Sequence, residues 1–320
     1  MTSFEDPVTT VVRLLSQNMH LVQDDGGLAS VYCSKEWYDQ ELLKNYDAQV
    51  TVGLQRSDDQ KLTLNGINRR RLSFLKVNGW SSNRDVRDRL REEINRIIRE
   101  KRTVPNVTGY DFAGLGYPSG DPHKAYYGKS IFCLLPPTAP EWNELAAADY
   151  EKLWYSDDNR YSYSHDDSPK YAMMLFRFKI ESREQTVKKI VLSFEGYGTT
   201  PTGNGIVIRA WNDASSSWDQ SASGWAGEDE IITITLTSNL TNYIDENGYV
   251  LLLAETIYGA EGEGPATIYC DYVSCTVTVN GITYCDVVGF RDLDQVRVKP
   301  FLWRTEFIVK TWMFEKVLGG

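Results

Sequence analysis

Residues 188–211 read KKIVLSFEGYGTTPTGNGIVIRAW. Two runs in this stretch, 188–194 and 206–211, alternate apolar with polar residues, which is typical of strands that bury one face. Four glycines lie between the runs and provide the backbone conformations that a reversal of the chain needs. The stretch therefore predicts two antiparallel strands of a single β-structure.

The same alternation continues on both sides of this stretch, with turn residues between the runs. The predicted strands are Tyr171–Ile180, Lys188–Phe194, Ile206–Trp211, Ile231–Leu236, Tyr249–Ala254 and Ile268–Val279. Six short strands without a helical pattern between them indicate an antiparallel β-sandwich of jelly-roll type over residues 155–282.

The first hundred residues have a different pattern. Asp6 and Pro7 are suited to the N-cap and first position of a helix predicted over residues 7–19. A second helix is predicted from the capping residues at 82–85 and the apolar stripe behind them, ending before Pro105. Between the helices, strands are predicted at Ala29–Cys33, Ala48–Leu54 and Arg71–Val77.

A strand pattern near the C-terminus, Phe307–Phe314, cannot be stable alone in water. We expect it to join the N-terminal sheet, because inserting a domain at a surface loop costs little closure entropy. The predicted fold is α+β, with a discontinuous α-β-β-β-α-β domain of residues 1–105 and 283–320 that carries the inserted sandwich. Residues 106–154, rich in glycine, proline and tyrosine, are predicted to be a connecting arm.

The composition, 42% hydrophobic and 24% charged, is typical of a folded soluble protein. No run approaches the ~18 apolar residues of a membrane span, and residues 1–7 lack the features of a secretory signal, so we expect folding in a cytoplasm without a membrane partner. The five cysteines have no C-x-x-C spacing and the three histidines are scattered. The sequence therefore predicts no zinc site, no disulfide framework and no cofactor.

One segment is strongly basic within this acidic chain. Residues 69–102 contain twelve Lys or Arg and five Asp or Glu, whereas the net charge of the whole chain is −10. The candidate contact residues in it are Arg69, Arg70, Arg71, Arg87 and Arg91. They are suited to DNA phosphates, but acidic residues at helical pair spacings favour a salt-bridged surface or a subunit interface.

Three tryptophans, Trp211, Trp218 and Trp225, lie seven residues apart around a serine-rich stretch that is predicted to be a loop. Aromatic rings exposed on loops can stack on sugar rings, so these residues are the candidate glycan-binding set. The alternative is that they pack in the sandwich core, where large aromatic side chains are mostly found.

The acidic residues suggest two kinds of chemistry. Oxygen ligands of the kind that calcium prefers are offered by Asp157, Asp158, Asp166, Asp167 and Asp271. No EF-hand or other fixed spacing is present, so a solvated acidic loop is favoured and no metal site is predicted.

A glycosidase pair is conceivable among four sandwich carboxylates. These are Glu195, Asp213, Asp219 and Glu255. Nothing in the sequence fixes the separation of about 5–9 Å that sugar hydrolysis requires, and we predict that the chain is not an enzyme.

The order of elements in the terminal segments resembles the tail-completion or tail-terminator family of tailed viruses. The helix from Asp6-Pro7, three strands, the helix Asn83–Lys101 and closing strands carry this resemblance. That family forms rings, typically hexameric, where the tail tube meets the neck. The resemblance implies a homo-oligomer, a hexamer, with tail-tube and neck or adaptor proteins as partners and viral DNA passing close by.

A second resemblance covers residues 155–280. Its motifs are DDNRY at 157–161, MMLFRF at 173–178, EGYG at 195–198, WN at 211–212 and DYV at 271–273. They are similar to β-sandwich modules that recur in archaeal surface proteins and that resemble galactose-binding or carbohydrate-binding jelly rolls. This resemblance implies a surface glycan as a ligand.

Together these observations predict a virion structural protein of an archaeal tailed virus. It would form a ring at the neck or tail end, be assembled in the host cytoplasm and present the sandwich outward. Two alternatives remain: a cellular carbohydrate-binding surface or adhesion protein, and a glycan-processing enzyme.

Overall fold

The computed structural model describes residues 3–23, 26–35, 37–63, 68–260, 264–295, 299 and 301–316. Its helices are α1 (Pro7–Asn18), α2 (Arg84–Lys101) and α3 (Ala147–Tyr150). Its strands are β1 (Val31–Lys35), β2 (Ala48–Lys61), β3 (Asn68–Ser81), β4 (Val107–Tyr110), β5 (Lys124–Ser130), β6 (Asn143–Glu144), β7 (Tyr161–His165), β8 (Tyr171–Lys179), β9 (Val187–Thr200), β10 (Gly203–Asn204), β11 (Ile206–Asn212), β12 (Ser217–Gly224), β13 (Glu230–Leu236), β14 (Tyr249–Thr256), β15 (Ala266–Val279), β16 (Tyr284–Asp292) and β17 (Trp303–Lys316). None of the helices in the described part of the chain has the length and apolar character to span a membrane.

The chain divides into two compact units. The terminal unit comprises Ser3–Val107 and Asn280–Gly320, of which residues 317–320 lie outside the described part. The sandwich unit comprises Thr108–Val279. Each unit has a hydrophobic core made of its own residues.

The terminal unit is a five-stranded sheet in the order β1-β2-β3-β17-β16, and α1 and α2 cover one of its faces. Both helices begin where the sequence provides a cap: Asp6 accepts a hydrogen bond from the Thr9 N–H, and Asn83 accepts one from the Asp85 N–H. The apolar stripes of the helices bury Leu15, Ile94 and neighbouring side chains against the sheet.

The return of the C-terminal strand to the N-terminal sheet is confirmed. β17 pairs with β3 along its whole length, from Trp303 opposite Ser81 to Lys316 opposite Asn68. The pairing places Phe307 and Val309 in the same core as the helices. The predicted α+β class, with a discontinuous domain and an inserted sandwich, is therefore the observed one.

The sandwich unit consists of two six-stranded sheets packed face to face. In the first, here called the β9 sheet, the order is β10-β9-β15-β4, with β13 also paired to β9 and β7 to β15. In the second, here called the β14 sheet, the order is β12-β11-β14-β8-β5-β6. Alternating residues of both sheets, such as Phe176, Phe194 and Ile208, fill the core between them.

The prediction that residues 106–154 form a connecting arm is wrong, because most of this segment belongs to the sandwich unit. This segment contributes β4 to the β9 sheet and β5 to an interior position of the β14 sheet, and its Tyr110, Phe112 and Tyr150 are buried in the sandwich core. The sandwich unit thus begins at residue 108 rather than 155. Glycine and proline interrupt the period-2 pattern here, and the strands between the interruptions are short.

Candidate functional site

The three candidate tryptophans lie in different surroundings. Trp211 and Trp218 face each other across β11 and β12, with ring centroids 5.1 Å apart in an edge-to-face arrangement. Trp218 is 8% exposed, and its indole N–H donates to the Leu135 carbonyl at 2.9 Å. Trp225 follows β12 and is 62% exposed. The structure therefore pairs two of the tryptophans and leaves the third in a separate turn.

Residues 131–143, here called the covering segment, run from the end of β5 to the first residue of β6 over the outer face of the β14 sheet. Leu135 from this segment packs with Trp218, Leu251 and other side chains of that face. The Leu134 N–H donates to the Glu255 carboxylate, which is buried and paired with Arg209 at 2.8 Å. The chain itself thus occupies the face on which Trp211 and Trp218 lie.

The arginine triplet 69–71 lies on β3, where it pairs with neighbouring strands. Arg71 binds Asp59 of β2 at 2.8 Å, and Arg70 donates to Gln60 at 2.6 Å. The guanidinium of Arg70 also lies over the Trp312 ring, 5.8 Å from its centroid. These contacts come from the same chain, so at least Arg70 and Arg71 are engaged without any partner molecule.

The two α2 arginines bind acidic residues of the C-terminal segment. Arg87 is 3% exposed and binds Asp292 and Asp294 at 3.0 and 2.9 Å. Arg91 binds Asp292 at 3.0 Å and Asp88 at 3.1 Å. These ion pairs fasten α2 to the end of β16, so both arginines have a role within the terminal unit.

A constellation that the sequence analysis did not single out lies on the outer face of the β9 sheet. Tyr197 of β9 and Tyr269 of β15 are direct cross-strand neighbours, and their rings stack with centroids 4.4 Å apart and an interplanar angle of 14°. Both tyrosines are half-exposed. The Arg160 guanidinium lies over the Tyr197 ring, 6.0 Å from its centroid. An aromatic surface with an adjacent cation is thus open to solvent here.

Acidic side chains surround Arg160. It forms ion pairs with Asp158, at 2.9 Å, and with Asp229, which lies in the turn just before β13. The carboxylates of Asp158, Asp229 and Asp271 each place one oxygen within 4.8 Å of the others. Burial and the negative charge of Asp229 raise the pKa of Asp271 above its ordinary value.

The acidic residues that the sequence analysis considered as possible calcium ligands are only partly brought together. Asp158 and Asp271 join the cluster, whereas Asp167 binds Lys129 and Lys170 instead, and these lysines hold the pKa of Asp167 down at about 2. Asp229 was missed because its contribution depends on the turn between β12 and β13, and no short-range spacing reveals it.

The backbone next to the cluster is irregular. The pairing of β15 with β9 shifts between Cys270 and Tyr272, so Asp271 is the extra residue of a β-bulge. Opposite it, Gly196 has φ +156°, and a Cβ there would lie 2.1 Å from the Tyr269 carbonyl oxygen. Only glycine fits, and the bulge that it permits buries the Asp271 side chain beside Asp229.

Comparison with known proteins gives one family match and several distant structural likenesses. Residues 123–279 match the model of a family described as "Uncharacterized protein, C-terminal domain". No curated protein matches the chain.

Three of the structural likenesses each cover about half of the chain. A xylan-binding module of family CBM15 is 11% identical, with 55% of this chain and 97% of that one covered at a TM-score of 0.27. The alginate lyase A1-II', of polysaccharide lyase family 7, is 12% identical, with coverage of 48% and 95% and a TM-score of 0.26. A carbohydrate-binding module specific for non-crystalline cellulose, CBM28, is 8% identical, with coverage of 46% and 84% and a TM-score of 0.23. Likenesses this distant carry no argument about function.

Proposed function

We propose that the chain is a non-catalytic structural protein whose sandwich binds a glycan on the outer face of the β9 sheet. The observation that carries this proposal is the half-exposed ring pair of Tyr197 and Tyr269 beside Arg160 and its carboxylates. Sugar rings bind proteins through two features at once: apolar C–H faces that pack on aromatic rings, and hydroxyl groups that need charged or polar partners.

The groups around the ring pair suit both features. Asp158 has an 82% exposed side chain and can accept hydrogen bonds from hydroxyls, while the Arg160 guanidinium can donate them. The turn that holds Asp229 also carries the exposed Trp225, so one candidate from the sequence analysis lies on the same turn as a member of this constellation. We place the glycan site on this surface.

The arrangement of these carboxylates favours binding of a glycan over its hydrolysis. Glycoside hydrolysis requires two carboxyl groups that flank the scissile bond, whereas Arg160 forms ion pairs with two of the three carboxylates here, Asp158 and Asp229. A general acid also needs a free carboxyl group beside the scissile bond. The ion pairs with Arg160 therefore support a binding role.

Glycan-array screening followed by calorimetric titration of the best sugar tests the site. Tyr197→Ala and Tyr269→Ala should each weaken binding by about tenfold or more, because aromatic stacking contributes on the order of 1–2 kcal/mol. The matched control is Tyr284→Ala, which breaks a similar stacked pair with Trp312 in the terminal unit, 4.4 Å between centroids. Equal loss of binding in all three variants, or none in any, would refute the proposed site.

A second candidate function is assembly of the terminal unit into a ring, and the ends of its sheet favour it. Among the described strands, β1 and β16 pair on one side only and so present unpaired backbone groups. The β16 edge also exposes apolar side chains, with Val288 61% and Phe290 49% exposed. A head-to-tail contact from β16 of one copy to β1 of the next is heterologous and can close into a ring.

In this proposal the ring is a hexamer at the neck or tail end of a virion. Its partners are tail-tube and neck or adaptor proteins, viral DNA passes nearby, and the sandwich is presented outward. Light scattering of the purified chain, alone and mixed with tail-tube protein, with electron microscopy of the particles, tests it. Phe290→Asp should dissociate the ring, whereas Phe132→Asp, at an exposed apolar residue of the sandwich unit, should leave it intact. A wild-type chain that stays monomeric and does not bind the tail-tube protein would rule out the ring.

A further inference from the structure

Three segments far apart in the sequence meet at the acidic cluster. Asp158 lies before β7, Asp229 before β13 and Asp271 in the bulge of β15. Their close approach brings negative charges together, and this repulsion must be balanced. Arg160 balances part of it through Asp158 and Asp229.

Arg160 does not satisfy every oxygen of the cluster. The Oδ1 atoms of Asp229 and Asp271 are buried and have no hydrogen-bond partner among the described residues. Asp271 is 2% exposed, so solvent does not satisfy its Oδ1 atom. A buried carboxylate oxygen without a partner costs about 1–3 kcal/mol or more, so these atoms point to a missing positive group.

Either a proton or a metal ion can supply the positive charge that these carboxylate oxygens require. A proton shared by Asp229 and Asp271 would remove one negative charge and join two oxygens. A divalent cation would instead contact all three carboxylates and offset the charge that Arg160 leaves. The geometry favours the ion, because the three oxygens lie within 4.8 Å of one another, close enough for one cation to contact all three, whereas a shared proton joins only two.

We propose that Asp158, Asp229 and Asp271 bind a divalent cation of the calcium type. Calcium takes six to eight oxygen ligands in flexible geometry, which suits ligands from two turns and a bulge, whereas magnesium at about 2.1 Å needs a tighter octahedron. The ion connects three parts of the chain: residues 157–160, strand β15, and the turn that precedes β13. It therefore stiffens the backbone that positions Arg160 and Tyr197. The site goes beyond glycan binding and exists whether or not a sugar binds.

Titration calorimetry of the chelator-treated whole chain with CaCl2 and, separately, MgCl2 tests the site. We expect one saturable calcium site per chain, weaker magnesium binding, and a calcium-dependent rise in the unfolding temperature. Asp158→Asn and Asp271→Asn should each weaken calcium binding by about tenfold or more. Asp158→Asn is the safer variant, because the residue is exposed and asparagine tolerates its φ of +65°.

The controls separate this site from its alternatives. Asp166→Asn removes an exposed acidic residue near β7 and should leave calcium affinity unchanged, and Tyr197→Ala, which tests the sugar site, should also bind calcium normally. Absence of binding up to about 5 mM calcium would overturn the proposal, as would wild-type affinity in Asp158→Asn and Asp271→Asn. A chain stabilised by Asp271→Asn and indifferent to calcium would instead establish the shared proton.

Discussion

His123 is a residue whose burial has a measurable consequence. It is completely buried among the rings of Tyr110, Phe112 and Phe178, and its Nδ1 accepts a hydrogen bond from the Lys179 N–H at 3.0 Å. Burial disfavours the charged imidazolium and lowers the pKa of His123 from 6.5 to about 4. The folded sandwich therefore requires a neutral His123.

The sandwich should lose stability on mild acidification. Above pH 6.5 the histidine is neutral in both the folded and unfolded states, and it contributes no pH dependence. Between pH 6.5 and pH 4 the unfolded state binds the proton first, so the free energy of unfolding falls, by up to about 3 kcal/mol at pH 4. Urea unfolding curves recorded across this range measure the effect.

His123→Asn is the matched control, since its side-chain oxygen can accept the Lys179 N–H without titrating. The variant should show a smaller loss between pH 6.5 and pH 4. Some loss should remain, because burial also lowers the pKa of His165. A variant with the same pH dependence as the wild type would show that His123 is not the responsible group.

Individual residues of the candidate site were only partly predictable. The exposure of Trp225 agrees with a loop aromatic, but Trp218 is buried by residues 131–143, a contact that depends on where β5 ends and not on local sequence. Asp229 and Asp271 are 42 positions apart and meet only because a bulge and a turn coincide. Local sequence patterns indicate candidate site residues, whereas the pairing of the strands determines which of these residues lie close together.

The covering segment is the element whose attachment can be tested most directly. It is held to the β14 sheet by the Trp218 N–H bond to Leu135 and by the Leu134 N–H bond to Glu255. Trp218→Phe keeps an aromatic ring against Trp211 but leaves the Leu135 carbonyl without its donor. We expect a loss of about 1–2 kcal/mol in the free energy of unfolding.

Faster hydrogen exchange over residues 131–143 should accompany that loss, because the segment opens more readily. Trp225→Phe is the control, and at its 62% exposed position it should change the stability by no more than about 0.5 kcal/mol. Equal destabilisation by the two variants would show that the indole hydrogen bond does not hold the segment.

Helices and strands were predicted correctly where a regular hydrophobic pattern extends over many residues. α1, α2 and the strands β8, β9, β11, β13, β14 and β15 all lie where the patterns indicated. The serine-rich sequence of β12 predicts a loop, because its outward side chains are small and polar and its inward face is short. The strand β5 was not predicted, because the glycine and proline residues on either side of it favour an irregular segment.

At the scale of the whole molecule, the terminal unit should fold without the sandwich. Its core contains residues only from 3–107 and 280–316, and the Cys285 N–H donates to the Arg102 carbonyl at 2.9 Å, which holds the two halves together. The excised ends are close, because residues 107 and 280 are each five positions from the hydrogen-bonded Arg102 and Cys285.

Replacing residues 108–279 by a short Gly/Ser linker should therefore give a folded protein with cooperative thermal unfolding, measured by circular dichroism. The same deletion lacking residues 301–320 should not fold, because β3 would lose its neighbour β17. If the first deletion variant is also unfolded, the terminal unit depends on the sandwich for its stability.

The paired position of β4 and β15 also has a mechanical consequence. The chain enters the sandwich on one of these strands and leaves it on the other, so the two connections are side by side. Tension applied between residue 3 and residue 316 is carried by the five-stranded sheet and the β3–β17 ladder, and it bypasses the sandwich. The sandwich therefore bears such a pull only after the β3–β17 ladder has opened.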